Sequence, residues 1–299
     1  MTVQERSEHL GVKENLTQCF TQQESLHLFK QICFNRFFEF EAAKAFEEKH
    51  IKMPVYLSVG QEHIPAAIAN VLEKPMIFGQ HRAHSYYLSF GGSPDALIAE
   101  LLHKPSGCAQ GMGGSASIHC PDIGMFGHSG LMGDQVPIAV GAALASNKPA
   151  ITIVGDASAE EDYVYGAMGY AVTKNSPVLF ICEDNNLSIL TEVKTRRSWS
   201  LVDVARSLGM PAVDITDDPW LIMHHVREFK QDLPAFINIR TCRHLWHAGV
   251  GTDGPPEWNR FEIIKEHLHN IGLKHEVEMI EHNARKEVRG LWEKHLPKQ

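Results

Sequence analysis

Hydrophobic and polar positions along this chain change period several times, and each change marks an element. Over residues 24–50, Leu28, Ile32, Phe38 and Phe46 recur at helical spacing, which predicts an amphipathic helix packed on the core or on a partner. Residues 61–73 and 94–103 read as helical too, and Ser93-Pro94-Asp95 opens the second as a cap followed by proline in the first turn. The run 136–146 is small and apolar, the composition of a helix lying close against a sheet. From Gly254-Pro255-Pro256 to the end the period is helical again, with Phe261, Ile264, Leu268 and Ile271, then Val277 and Ile280, forming apolar stripes. Two short apolar runs within 151–187 read as buried strands, and Val213-Asp214-Ile215 and 236–240 as further ones. The segment between the first two is acidic at its start, then small and apolar, and reads as a crossover helix joining parallel strands. The pattern predicts an α/β fold with a mostly parallel sheet, in a single domain over 1–299 with helical segments at 24–50 and 256–299. Glycine-rich residues 105–134 read as a loop, and so long a loop inside a compact domain is usually functional.

Both buried strands end in polar residues, the first at Gly155-Asp156 and the second at Glu183-Asp184-Asn185-Asn186. In open α/β sheets the ligand sits at the carboxyl ends of the strands, so Asp156 and Asn185 are expected on neighbouring strands at the same edge. A carboxylate and an amide oxygen are hard ligands suited to magnesium, which keeps coordination positions for water and phosphate. The plainer reading is that both cap strand ends and turns. Ala157 and Ser158 follow at the expected helix start, where free backbone donors and the helix dipole favour a phosphate. Glu160, Glu161 and Asp162 would repel a diphosphate unless they point away, and read as the solvated first turn of the helix.

This pattern resembles the thiamine diphosphate-binding motif, in which Gly-Asp-Gly is followed after a helix by Asn or Asn-Asn. Gly60-Gln61-Glu62, the run Gly79-Gln80-His81-Arg82-Ala83-His84, Gly111-Met112-Gly113-Gly114-Ser115 and the stretch from Gly130 to Pro137 are similar to the alpha subunit of 2-oxo acid dehydrogenases, the decarboxylating first component of the pyruvate, branched-chain and acetoin dehydrogenase complexes. The resemblance runs over roughly residues 55–290. It implies the thiamine diphosphate-binding fold, a mostly parallel sheet with helices on both faces. It implies that Asp156, Asn185 and the backbone carbonyl of Leu187 hold magnesium. By the same resemblance Arg82, Gly130, Leu131, Met132, Gly155, Asp156, Ala157, Ser158, Asn185 and His247 hold the cofactor, with His247 and His84 as catalytic candidates. Arginine suits the diphosphate because its planar fork gives paired, charge-assisted hydrogen bonds. His247 lies in the segment 241–253, similar to the family's phosphate-side loop, where an imidazole could bind a substrate carboxylate or move protons; Arg243 matches a family arginine there. Leu131 and Met132 stand where relatives hold the bent cofactor, a core role being the alternative.

Three departures bear on the site. Ala157 replaces the third glycine of the motif, Asp162 replaces a common glycine, and Leu245-Trp246 is bulkier than the family pattern before His247. Gly111-Met112-Gly113-Gly114 superficially suggests a dinucleotide fingerprint, but no apolar strand precedes it, which argues against a nicotinamide site. The pairs His81/His84 and His244/His247 have a loose metal-ligand spacing without a cysteine partner, which argues against zinc.

Composition narrows the partners. A formal charge of −8 argues against a nucleic-acid surface. No stretch approaches the roughly 20 apolar residues of a membrane span, and the first residues lack a charged-then-apolar signal pattern, so the cytoplasm is the expected location. Six scattered cysteines read as free thiols. Length adds a constraint, because related enzymes need a second domain to grip the aminopyrimidine ring and supply an activating glutamate, and 299 residues leave no room for it. The resemblance therefore implies a beta subunit carrying that pyrimidine-binding domain, in a two-plus-two heterotetramer acting on a small 2-oxo acid, with a lipoyl-bearing acyltransferase as a further partner. Two alternatives stay open: a split decarboxylase, transketolase-like or carboligating subunit, and a non-catalytic subunit acting as scaffold or regulator.

Overall fold

A computed structural model describes residues 12–127 and 129–297. Its centre is a sheet of six strands, β1 (Met76–Phe78), β2 (Met125–Phe126), β3 (Ala150–Gly155), β4 (Val178–Asp184), β5 (Ala212–Thr216) and β6 (Ala235–Arg240), in the spatial order β2-β1-β3-β4-β6-β5. Every pairing is parallel, so all carboxyl ends face the same way. The register sets Gly155 opposite Glu183 and Asp184 opposite Arg240, which brings the polar ends of β3, β4 and β6 side by side. β3 and β4 are continuous apolar runs because both faces of the sheet are covered.

Alternate strand residues feed two layers. Ile151, Ile153, Leu179, Ile181, Ile237 and Ile239 pack under α1 (Gln22–Glu47), α2 (His63–Ala69), α3 (His84–Ser89) and α4 (Pro94–Leu101), and under later helices of the chain. Val154, Phe180, Cys182 and Phe236 face α5 (Gln135–Ser146), α6 (Asp162–Lys174) and α7 (Leu201–Ser207). Three later helices, α8 (Pro219–Phe229), α9 (Arg260–Asn270) and α10 (Lys274–His295), join the first layer, with α10 lying along α1. The expected helices and strands are therefore present, Ser93 and Pro94 opening α4 as cap and first residue. Ile271, expected on an apolar stripe, is 44% exposed because α9 ends one residue earlier. Among the described residues no helix is long and apolar enough to cross a membrane.

One sequence expectation is extended and another corrected. α1 keeps an exposed stripe that includes Gln23, His27, Lys30 and Lys44, while through its middle polar residues turn inward and find internal partners. Arg36 pairs with Glu62 at 2.6 Å, Asn35 donates to Ser89 at 2.9 Å, and Glu39 accepts from the Ser58 hydroxyl at 2.7 Å. The glycine-rich segment 105–134 is not all loop, since it contributes edge strand β2. Its first half wraps the buried carboxylate of Glu100, which accepts backbone N–H bonds from Ala109, Gly111, Gly113 and Gly114 at 2.8–2.9 Å. A Cβ on Gly113 would lie 2.0 Å from the Ser117 carbonyl, so the glycines serve this wrap.

Candidate active site

A cavity of about 200 Å³ opens where the carboxyl ends of β1, β3, β4 and β6 converge. Gln80, His81 and Arg82 reach it after β1, and residues 155–158 after β3. Glu183, Asn185 and Leu187 line it from the end of β4, and Arg243 and His247 from the segment after β6. Met132 closes one side. Of the residues proposed from sequence, Arg82, Met132, Gly155, Asp156, Ala157, Ser158, Asn185, Leu187 and His247 are thus gathered at one cavity, far apart as they are in the chain.

Three are not. His84 is fully buried and stays out of the cavity, its ring held between Glu39 Oε2 at 3.0 Å and the Ser115 hydroxyl at 2.8 Å. It therefore braces α1 against the glycine-rich segment instead of reaching reacting atoms, which corrects its catalytic assignment. Gly130, at φ +100°, and Leu131, 61% exposed, belong to a turn that swings outward and leave only Met132 on the cavity. Of the two His-x-x-His pairs only His81 and His247 meet, as His244 donates from Nε2 to the Trp258 carbonyl at 3.1 Å while His84 faces Glu39.

The turn after β3 accommodates the departures from the motif. Ala157 has φ −82° and ψ −44°, an ordinary conformation for a residue with a Cβ, so glycine is not required there. The Ser158 hydroxyl accepts from Gly155 N at 2.9 Å and donates to the Gly155 carbonyl at 3.1 Å, clamping the turn. Glu160 is not part of a solvated first helical turn. It lies in a short 3₁₀ turn ahead of α6 and accepts from Arg196 at 2.9 Å and also from Arg197, whereas Glu161 and Asp162 are exposed as expected.

Burial governs the electrostatics. The Asp156 carboxyl is pushed up to about 6 by loss of water and by the neighbouring Asp184, against the pull of Arg196 and Arg197. Burial likewise raises Glu183 to about 7, although Tyr86 at 3.0 Å, Gln80 at 2.5 Å and Arg82 favour its charged form. Arg82 falls to about 10, through burial and then the charge of Arg243, and donates to the carbonyls of Leu57 and, at 3.1 Å, of His247. His247 is lowered to about 4 by burial and by both arginines, so its imidazole is neutral at neutral pH. Its ring meets Tyr56 at 5.8 Å and His81 at 5.4 Å between centroids.

Asn185 closes a turn, its Oδ1 accepting from Leu187 N at 3.1 Å while its Nδ2 donates to Gln61 at 3.2 Å. Arg196 binds the Asp156 carboxylate directly, and Arg197 donates to the Asp156 carbonyl at 2.7 Å. A second, larger cavity of about 640 Å³, lined by Asp184, Asn186, Arg197, Trp199 and Arg240, adjoins this cluster. Sequence reasoning missed Gln80, Tyr56 and the two arginines as parts of the site; for the arginines the only signal was a dibasic pair shortly after Asn185.

Comparison with known proteins fits this geometry. Residues 30–243 match the model of the family described as dehydrogenase E1 component. The chain belongs to that family. Among E1 relatives it is similar to the pyruvate dehydrogenase E1 component subunit alpha of Saccharomyces cerevisiae, 28% identical over 289 residues that cover 88% of this chain and 68% of the relative. It is also similar to the corresponding alpha subunit of Rickettsia prowazekii, 26% identical over 243 residues covering 76% and 73% of the two chains. The alpha-subunit-like resemblance read from the sequence is thereby borne out. In fold this E1 chain is similar to transketolase from Campylobacter jejuni, with a TM-score of 0.58 at 15% identity over 92% of this chain and 49% of that one. Transketolase from Leishmania mexicana gives 0.57 at 12% identity, covering 90% and 46%. The chain spans about half the length of these transketolases.

Proposed function

We propose that this chain is the diphosphate- and magnesium-binding alpha subunit of a thiamine diphosphate-dependent, decarboxylating 2-oxo acid dehydrogenase. The observation that carries the reading is the convergence of Asp156, Asn185 and Leu187 with Arg82, Arg243 and His247 on one strand-end cavity in a chain of the E1 family. The Asp156 carboxylate, the Asn185 amide oxygen and the Leu187 carbonyl are hard oxygen donors at two adjacent strand ends, a set that fits magnesium. Arg82 and Arg243, with the backbone of Ala157 and Ser158, fit a diphosphate. When bound, thiamine diphosphate supplies the carbanion and electron sink that a 2-oxo acid decarboxylation needs.

The chain's own residues take the remaining tasks. Arg82 is held by two backbone carbonyls, so its charge enters the cavity already oriented. His247, neutral and partly buried, offers one N–H and one lone pair and is suited to hold or move a proton beside the substrate. Glu183, bound to Tyr86 and Gln80, fixes the cavity floor.

A beta subunit would complete the site with the pyrimidine-binding domain and the activating glutamate. One feature supports that partner: α5 and α6 leave Ile138, Leu144 and Tyr170 exposed on the outer face of the sheet layer. A two-plus-two assembly, a lipoyl-bearing acyltransferase as acceptor and a cytoplasmic location belong to the same reading. Isothermal titration of the chain with its co-purified partner tests it. Thiamine diphosphate is expected to bind in a magnesium-dependent way, and Asp156→Ala to abolish that binding; unchanged affinity in the variant would remove the reading.

A further inference from the structure

Arg196 binds the Asp156 carboxylate, one of the three oxygen donors that would hold magnesium in the proposed function. Its guanidinium pairs with Asp156 through one Nη and with Glu160 at 2.9 Å through the other. The Asp156 side chain is 2% exposed and Arg196 13% exposed, so this ion pair is screened little by solvent. Arg197 stands differently in the same cluster. It donates to the Asp156 backbone carbonyl at 2.7 Å, pairs with Glu160, and comes within 4.0 Å of Asp184, but touches neither oxygen of the Asp156 side chain.

We propose that Arg196 is a resident counter-cation of the Asp156 carboxylate, which a divalent ion must displace, so that Arg196 sets the ion concentration at which the site fills. The inference rests on the magnesium reading above and deepens it. A buried carboxylate beside Asp184 needs a counter-charge whenever no ion is present, and the guanidinium supplies one. A divalent ion on the same carboxylate would be repelled by that guanidinium, because like charges in a poorly screened site interact strongly. Two features make Arg196 displaceable. Glu160 already binds it and can keep it after Asp156 is given up. Its Nε is buried without a hydrogen-bond partner, so the present placement leaves one donor unmet and departure costs less than for a fully satisfied arginine. Arg196 ends a short helix, Val193–Arg196, that directly follows the hairpin carrying Leu187, so its release and the positioning of the third candidate ligand belong to one segment.

The test is Mn²⁺ binding, read by the loss of the free-ion electron paramagnetic resonance signal, on the full chain with its co-purified partner and with thiamine diphosphate present. Arg196→Gln is expected to lower the half-saturating Mn²⁺ concentration by about tenfold or more. Arg197→Gln removes the same charge without freeing the carboxylate, and is expected to shift it by a clearly smaller factor. Should Arg196→Gln fail to fold by circular dichroism, Arg196→Lys, which keeps the charge but loses the paired donors, is expected to tighten binding by a smaller measurable factor. Wild-type binding with no tightening in the position-196 variants, or equal tightening from positions 196 and 197, would overturn the counter-cation role and leave the magnesium site standing. Absence of Mn²⁺ binding in every variant would overturn the magnesium reading and this inference with it.

Discussion

Glu183 sits one residue before the β4 terminus, fully buried, with its carboxyl raised to about 7 from an ordinary 4.5. A folded-state value above the unfolded one means that the native protein keeps a proton the unfolded chain has lost. The associated stability is therefore complete below pH 4.5 and disappears as pH rises towards 7, amounting to about 3 kcal/mol in all. Glu183→Gln cannot ionise, so the stability of the variant relative to the natural chain is expected to rise by about that amount between pH 4.5 and 8. Urea unfolding of both proteins at each pH, without cofactor, checks this; a pH-independent difference would mean that the carboxyl is not perturbed. The pH-independent cost of placing a Gln amide against Tyr86 and Gln80 cancels in that comparison. His247 shows the opposite case, a base depressed to about 4 by burial, Arg82 and Arg243. Its charged form is disfavoured in the fold, so its contribution improves as pH rises through the window from about 4 to 6.5. Sequence alone could nominate both residues from their positions. Their protonation states depend on which side chains the fold packs beside them.

At the scale of elements, the glycine-rich segment shows how a motif acquires its meaning from what it touches. Its glycine pattern superficially suggests a dinucleotide fingerprint, yet four backbone N–H groups of the segment are spent on Glu100, itself delivered by the last turn of α4. Glu100→Gln leaves some of those donors facing an amide N–H₂. A loss of about 2–4 kcal/mol is expected, with faster proteolysis within 105–117, measured by urea unfolding and by timed digestion with the broad-specificity protease subtilisin. Unchanged digestion would show that the wrap holds without the carboxylate. The same dependence on partners explains α1. Its apolar spacing was legible, but the burial of Arg36, Asn35 and Glu39 was not, because it depends on Glu62, Ser89, Ser58 and His84 meeting them. The turn after β3 runs the other way, since Ala157 adopts a helical backbone that tolerates its methyl group and leaves the departure from glycine without conformational cost.

For the whole molecule, the sheet order puts the site at one rim and an uncovered face on the layer of α5 and α6, where Ile138 and Leu144 are 55% and 40% exposed. In the proposed assembly this face meets another subunit. Ile138→Glu is expected to leave the melting temperature of the isolated chain within a degree or two while reducing co-purification of the partner at least severalfold. Retention of the partner at natural levels would place the interface elsewhere.

The sequence by itself determined the α/β class, four of the six sheet strands, the longer helices, and the two strand ends bearing Asp156 and Asn185, because burial period and strand-terminal polar residues are local signals. It also carried enough of the E1 pattern to nominate Arg82 and His247. Only the tertiary structure decided that His84 turns to Glu39 and Ser115, that the glycine donors close on Glu100, and that Arg196 reaches back to Asp156 and Glu160. Each of these is a contact between residues well separated in the chain, chosen by which buried charge lacks a partner and which donor the fold brings within reach. Periodicity records which face a residue occupies, whereas the partner waiting on that face is set by the crossing of elements.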